Sequence, residues 1–245
     1  MENEEKIEHI HHIKKSTINQ SQIAGAIIVA GLIIAGAILL KGQQPTQQVP
    51  AAVNNGNPTA QNVQVRAVKA DEHIAGNLNA KVVIVEYSDT ECPFCKMFHN
   101  TMNQVMTQSS GKVAWVYRHY PIAQLHSKAF NESVAMECAW EQGGNDSFWK
   151  FTNELFVRTG SNNTLDPLEL PKIATSIGIN VDTFNTCLST QKYADKVRAD
   201  MADGTKEGVN GTPHSFILKN GKVVDVIAGA EPIESVMQKV NAALK

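Results

Sequence analysis

The sequence predicts an α/β fold with an inserted block of helices, preceded by a single N-terminal transmembrane helix and a flexible linker. Two patterns carry the folded part. From residue 81 onward, short β-branched runs and segments of 3.6-residue period follow one another as strand, helix, strand, helical block, two strands and helix. That order builds a sheet covered by helices. Within it, Cys92-Pro93-Phe94-Cys95 stands where the first strand gives way to the first helix. The third observation is an uncharged apolar run of 18 residues, Ile23 to Leu40.

At 1.5 Å per residue such a run covers roughly 27 Å, close to the hydrocarbon thickness of a bilayer. A cleavable signal peptide is the alternative, but its apolar core is about 7–15 residues long, and no small-x-small site follows directly on Leu40. Lys6, Lys14 and Lys15 precede the run, and only Lys41 follows it before residue 66. The positive-inside rule then keeps residues 1–22 cytoplasmic and places the rest of the chain outside. His9, His11 and His12 read as part of that charged tail, with metal binding the less favoured reading.

Residues 41–65 are rich in Gln, Asn, Pro and Ala and carry one charge, at Lys41. Such a segment cannot bury enough apolar surface to offset its chain entropy, and as a flexible tether it spans about 25–30 Å. Residues 66–245 remain as the folded part, long enough for one core with an insertion and short for two. Four Lys and four Glu precede residue 66, so the folded part keeps a net charge of −2. Nothing in that balance suits a nucleic-acid partner.

Lys81 to Tyr87 is short, β-branched and apolar, as a buried strand should be, and Ser88 to Glu91 reads as a tight polar connection. Phe98, Met102, Val105 and Met106 then recur at helical spacing, predicting a helix from about Pro93 to about Ser109. Lys112 to Arg118 alternates as a second strand. Ala129, Val134, Ala135, Cys138 and Ala139 trace one helical face, and Phe148, Trp149, Phe151, Leu155 and Phe156 trace another. Asp166-Pro167-Leu168-Glu169 offers an N-cap, a proline at the first helical position and a capping-box glutamate. Val181 to Leu188 and Gln191 to Asp203 complete a helical insertion of about 124–206. Phe216 to Leu218 and Val223 to Ala228 flank Asn220-Gly221 as a hairpin, and Ile233 to Leu244 closes the chain with a helix.

The C-P-F-C element sits where unpaired backbone N–H groups and the positive end of a helix dipole favour a thiolate. Cys92 is therefore the expected low-pKa nucleophile. Pro93 suits the first helical position, and Cys95, one turn deeper, is close enough to close a disulfide and is the expected resolving thiol. The same spacing also serves half of many zinc sites, and an inert local disulfide is a further alternative. Cys138 and Cys187 complete the set of four cysteines. An even count in an exported domain invites pairing. A bridge between them would tie two helices and stabilise the fold by roughly 4 kcal/mol in the chain-entropy model; two buried free thiols are the alternative.

Taken together, these stretches resemble the thioredoxin superfamily, and within it the DsbA-like thiol-disulfide oxidoreductases that carry an inserted helical domain. The resemblance runs from about Asp71 to Lys245. It is carried by Val83-Ile-Val-Glu-Tyr-Ser-Asp-Thr-Glu-Cys-Pro-Phe-Cys95, by Tyr117-Arg-His-Tyr-Pro121 with Leu125-His-Ser-Lys-Ala129, and by Gly208-Val-Asn-Gly-Thr-Pro213. It implies a thioredoxin-like fold, a cis peptide bond before Pro213, and Thr212-Pro213 lying beside Cys92 and Cys95. Thr212 would then contact the substrate chain or tune the Cys92 thiolate. The resemblance also makes Glu86 a buried carboxylate behind Cys95 that accepts and returns its proton. His99 and His214 are read as partly exposed polar residues near the pair. Phe94 stands where DsbA enzymes with a histidine between their cysteines have a positive group, so strong oxidising power does not carry over.

The expectation is a membrane-anchored extracytoplasmic protein thiol-disulfide oxidoreductase that introduces disulfides into exported proteins. Pro93, Phe94, Thr212 and Pro213 would form the substrate-binding loops. The resemblance implies a DsbB-like or VKOR-like membrane reoxidant. A disulfide reductase or isomerase of the same fold, a zinc-binding module on Cys92 and Cys95 with His99 or His214, and a non-catalytic surface module are the alternatives. Flavin, nucleotide and metal motifs do not occur in the chain, so no cofactor is expected.

Overall fold

The computed structural model describes residues 63–245. The expected cytoplasmic tail, the apolar run 23–40 and the linker up to residue 62 lie outside the described residues. Among the described residues no helix is long and apolar enough to cross a membrane.

Five strands form the sheet: β1 (His73–Ala75), β2 (Val82–Ser88), β3 (Val113–His119), β4 (His214–Lys219) and β5 (Lys222–Ala228). Their order is β1-β3-β2-β4-β5. β2 and β3 run parallel and the other pairs antiparallel. Parallel neighbours need a crossover, and α1 (Pro93–Gln108) supplies it. β2 is thus central, which is why its sequence is a nearly continuous apolar run rather than a clean alternation. Val82 and Ile84 pack with Phe98, Met102 and Val105 of α1 and with Val236 and Val240 of α6 (Ile233–Leu244). On the opposite face Val85, Tyr87, Val116 and Phe216 are covered partly by Val63, Val65 and Val68. Each such side chain contributes about 1.5–3 kcal/mol on full burial.

The helical block between β3 and β4 consists of α2 (Ala129–Arg158), α3 (Glu169–Ser176), α4 (Val181–Ser189) and α5 (Ala194–Lys206). The two helical faces read from the sequence are the two halves of α2. They are separated by Gly143 (φ −158°, ψ 17°) and Gly144 (φ 59°, ψ −145°), the second in a region that only glycine enters freely. Cys138 of α2 and Cys187 of α4 are joined by a disulfide with their Cα atoms 5.8 Å apart. α5 approaches the sheet at Gly204, where an added Cβ would lie 2.8 Å from the Tyr87 ring. Arg118 fastens this packing. Buried in β3, it donates to Glu72 (2.9 Å), to Asp203 (3.0 Å) and to the Arg66 carbonyl (2.9 Å), so one guanidinium holds both α5 and the segment leading into β1.

The structure departs from the local sequence pattern at three places. α3 begins at Glu169 rather than at Asp166-Pro167. Asp166 instead accepts from Leu168 N at 3.0 Å in a preceding turn, and Glu169 turns outward to Arg158 and Lys172 rather than back to a cap. The three-residue β1 carries too little pattern to be read from sequence, and Asn145 of α2 fixes it by accepting from Ile74 N at 2.8 Å. All seven residues of β3 are buried despite their alternation, because the insertion and the entering segment cover its two faces.

Candidate active site at the start of α1

Cys92 is the N-cap of α1 with Pro93 at the first helical position. Its backbone N–H donates to Asp89 O (3.2 Å) and its carbonyl accepts from Lys96 N (3.1 Å), so the turn delivers the sulfur to the positive end of the helix. The structure shows the dithiol form. Cys92 is 5% exposed and Cys95 fully buried, while Phe94 between them is 59% exposed. The pair therefore presents one reachable sulfur beside an apolar contact surface.

Thr212 and Pro213 come to the pair from the start of β4. Cys92 Sγ donates to Thr212 O at 3.4 Å, and the Thr212–Pro213 peptide is cis. Gly229 N holds the Pro213 carbonyl at 3.0 Å, fixing the loop to the end of β5. Hydrogen bonding from Cys95 pulls the Cys92 thiol down to about 6 against the opposing effect of burial, with backbone N–H groups and Thr212 adding to it. Burial pushes the Cys95 thiol well above its ordinary value, and the nearby charges of Cys92 and Glu86 push in the same direction. The two thiols thus have divergent proton affinities, which is what assigns nucleophile and resolving roles in exchange chemistry.

Glu86 is buried in β2, where burial pushes its carboxyl up to about 7. Trp115 Nε1 donates to its Oε2 at 2.9 Å. A carboxyl with that affinity beside a buried thiol can give or take a proton near neutral pH.

His99 differs from its sequence reading. It is buried, stacked on Phe156 (4.6 Å) and bonded through Nε2 to Asn153 Oδ1 (2.7 Å), because the second half of α2 covers that face of α1. His214 is partly buried against Phe216. Neither ring bonds to a thiol sulfur, and among the described residues no third ligand atom converges on Cys92 and Cys95. A zinc site there has no geometric support. His73, His119 and Glu137 do converge, with Glu137 Oε1 2.6 Å from His73 Nε2 and 2.9 Å from His119 Nε2. The Lys196 ammonium already lies 2.9 Å from the same oxygen and supplies the cation.

The connection from Ser88 to Glu91, polar in sequence, is entirely buried. Asp89 accepts from Glu91 N (2.9 Å), Ile122 N (2.8 Å) and His126 Nδ1 (2.9 Å), and its own N–H donates to Cys95 Sγ at 3.4 Å. Thr90 donates to Glu132 of α2 (2.6 Å), and Glu91 accepts from Asn163 N (2.6 Å). The insertion therefore clamps the turn that presents Cys92. Asp89 and His126 stand within the stretches that carry the sequence resemblance, but nothing local in the sequence pairs them.

A family model described as Thioredoxin matches residues 69–239. Among solved structures, BdbD from Bacillus subtilis aligns with a TM-score of 0.65 and 20% identity over 74% of this chain and 97% of that one. DsbA2 from Pseudomonas aeruginosa aligns with a TM-score of 0.60 and 23% identity over 72% and 96%. At such identities the likeness is one of fold. The protein called Na(+)/H(+) antiporter NhaA 1 from Mycolicibacterium gilvum is 30% identical over 153 residues, 62% of this chain and 24% of that protein. The chain spans about a quarter of the length of such curated relatives. The chain belongs to the thioredoxin family, with a helical insertion between β3 and β4.

Proposed function

We propose that the chain is a membrane-anchored extracytoplasmic thiol-disulfide oxidoreductase that introduces disulfides into exported proteins. The observation that carries this reading is the pairing of a thiolate-prone Cys92 at the helix start with a fully buried Cys95, next to the Thr212 carbonyl and the cis peptide bond. In the oxidised form a substrate thiolate attacks Cys92 Sγ, and the Cys92–Cys95 bond breaks. Cys95 leaves as a thiolate and takes a proton from Glu86. The substrate's second thiolate then attacks its partner sulfur in the mixed disulfide and expels the Cys92 thiolate. Phe94 and Pro93 offer apolar surface to the substrate chain, and Thr212 and Pro213 border its backbone. Cys138–Cys187 is a structural brace. A DsbB-like or VKOR-like membrane partner reoxidises the dithiol.

The reverse direction, reductase or isomerase, has one observation in its favour: the exposed residue between the cysteines is the uncharged Phe94, which adds no positive charge to hold the thiolate. The deciding measurement is the Cys92–Cys95 reduction potential, with catalysed oxidation of a reduced multi-cysteine protein by the oxidised chain. A potential well above the glutathione pool with catalysed oxidation supports the oxidase. A potential near that of thioredoxin overturns the oxidising direction, and absence of turnover in either direction overturns the enzyme reading.

A further inference from the structure

We infer that Trp115 is a positioning residue for proton transfer at the buried thiol: its indole N–H holds the Glu86 carboxylate oriented and ionisable, so that Glu86 can exchange a proton with Cys95. The inference rests on the role proposed above for Glu86.

The register places the two groups. Ile84 pairs with Trp115 and Glu86 with Tyr117 across β2 and β3, so the Trp115 indole reaches diagonally to a carboxylate on the neighbouring strand. Nε1 donates to Oε2 at 2.9 Å, and both side chains are buried. The indole is held from two sides. Trp149 of α2 packs on it at 4.5 Å, and His99 of α1 lies at 5.2 Å, itself fixed by Asn153.

A buried carboxylate without a cation keeps its proton. Burial raises the proton affinity of Glu86, no charged group offsets it, and hydrogen bonding from neutral groups, Ser88 first and then the Trp115 N–H, pulls it back toward neutrality. A hydrogen bond to a charged group changes proton affinity by about ten- to a hundredfold. The difference appears when Cys95 must attack. The Glu86 carboxylate takes the Cys95 proton, the Cys95 thiolate attacks Cys92 Sγ of the mixed disulfide, and the Cys92–Cys95 bond forms. The bond from Cys92 to the other sulfur breaks, and that sulfur leaves as a thiolate and is protonated from solvent. Without the indole N–H the ionised fraction of Glu86 at neutral pH falls and the first transfer slows.

The test uses the full chain with a chromogenic thiol in mixed disulfide on Cys92, following its release by Cys95 against pH. Trp115→Phe removes the donor and keeps an aromatic ring; replacing Trp115 by benzothienylalanine removes the N–H at constant shape and serves if Phe does not fold. Trp140→Phe, at a tryptophan of α2 that packs on His73 instead, controls for loss of an indole elsewhere in the fold. The expected result is a midpoint near pH 7 that moves up by about 1–2 pH units on loss of the Trp115 N–H. Trp140→Phe should leave that midpoint in place. In a Glu86→Gln background the Trp115 change should add nothing. An unmoved midpoint in both Trp115 variants, or an equal shift with Gln at position 86, overturns the inference while leaving Glu86 in place. A wild-type profile in Glu86→Gln alone overturns the Glu86 role, and this inference with it.

Discussion

Replacing Cys95 tests whether the neighbouring thiol, rather than the helix terminus alone, holds Cys92 as a thiolate. The hydrogen bond from Cys95 is the largest cause of the lowered Cys92 affinity, which falls from an ordinary 9.0 to about 6. A hydrogen bond to a charged group is worth about 1.5–3 kcal/mol, so Cys95→Ala should raise the Cys92 midpoint to about pH 7–8. Cys95→Ser retains a donor and should stay near 6. Thiolate absorbance at 240 nm against pH reads both directly in these single-thiol sites. The same shift appears in stability. The folded-state affinity is depressed, so its contribution is full above the unfolded value and disappears as pH falls through about 6. Between pH 5 and pH 8 the Ser variant should therefore gain about 2–3 kcal/mol from this group, or roughly 5–10 °C in Tm. The Ala variant should gain less. A midpoint near 6 in Cys95→Ala would show that the helix start suffices and would refute the reasoning. The effect on direction is modest: at pH 7 only about 1.4 kcal/mol is expressed, about 30 mV toward an oxidising pair.

Three further outcomes follow from buried partners. Arg118→Met leaves the Glu72 and Asp203 carboxylates with only the longer ion-pair contacts to Arg66, 3.6 Å each, and should cost about 3–5 kcal/mol in urea unfolding, whereas a loss below about 1 kcal/mol would show that the network is replaceable. Replacing Cys138 and Cys187 together by serine should cost about 4 kcal/mol, while the Cys92–Cys95 potential stays within about 10 mV; a larger change in potential would mean that the brace reaches the active site. Burial, with Glu91 adding, pushes the Glu132 carboxyl up to about 8, so its stabilising protonated form is lost as pH rises from about 4.5 through 8. Glu132→Gln should flatten that loss in a Tm series from pH 5 to 8.5, and an unchanged slope would place the proton elsewhere.

Local pattern made much of this legible. The β-branched run of β2, the helical spacing of Phe98, Met102 and Val105, and Asn220-Gly221 between β4 and β5 each follow from a period or a turn preference that a dozen residues can carry. The paired glycines at 143 and 144 divide two helical faces that the sequence already shows as separate. α3 starts three residues after Asp166 because Asp166-Pro167 satisfies a turn as well as a cap, and only the outward pairing of Glu169 with Arg158 decides between them. β1 had no pattern to read, being ordered by its pairing with β3 and by Asn145.

By itself, the sequence determined where a nucleophile would stand: a cysteine followed by proline at a strand-to-helix turn meets the helix N-terminus whatever surrounds it. The tertiary structure alone decided what surrounds it. Ser88 to Glu91 read as a tight polar connection and His99 as a partly exposed polar residue, yet the insertion buries them and supplies His126, Glu132, Asn153 and Asn163 as partners. Trp115 became the donor to Glu86 through strand register and the packing of Trp149. Hydrogen bonds between residues tens of positions apart leave no period in a sequence, and the proton affinities of Glu86 and Cys95 depend on burial that exists only once the sheet and the insertion close over them.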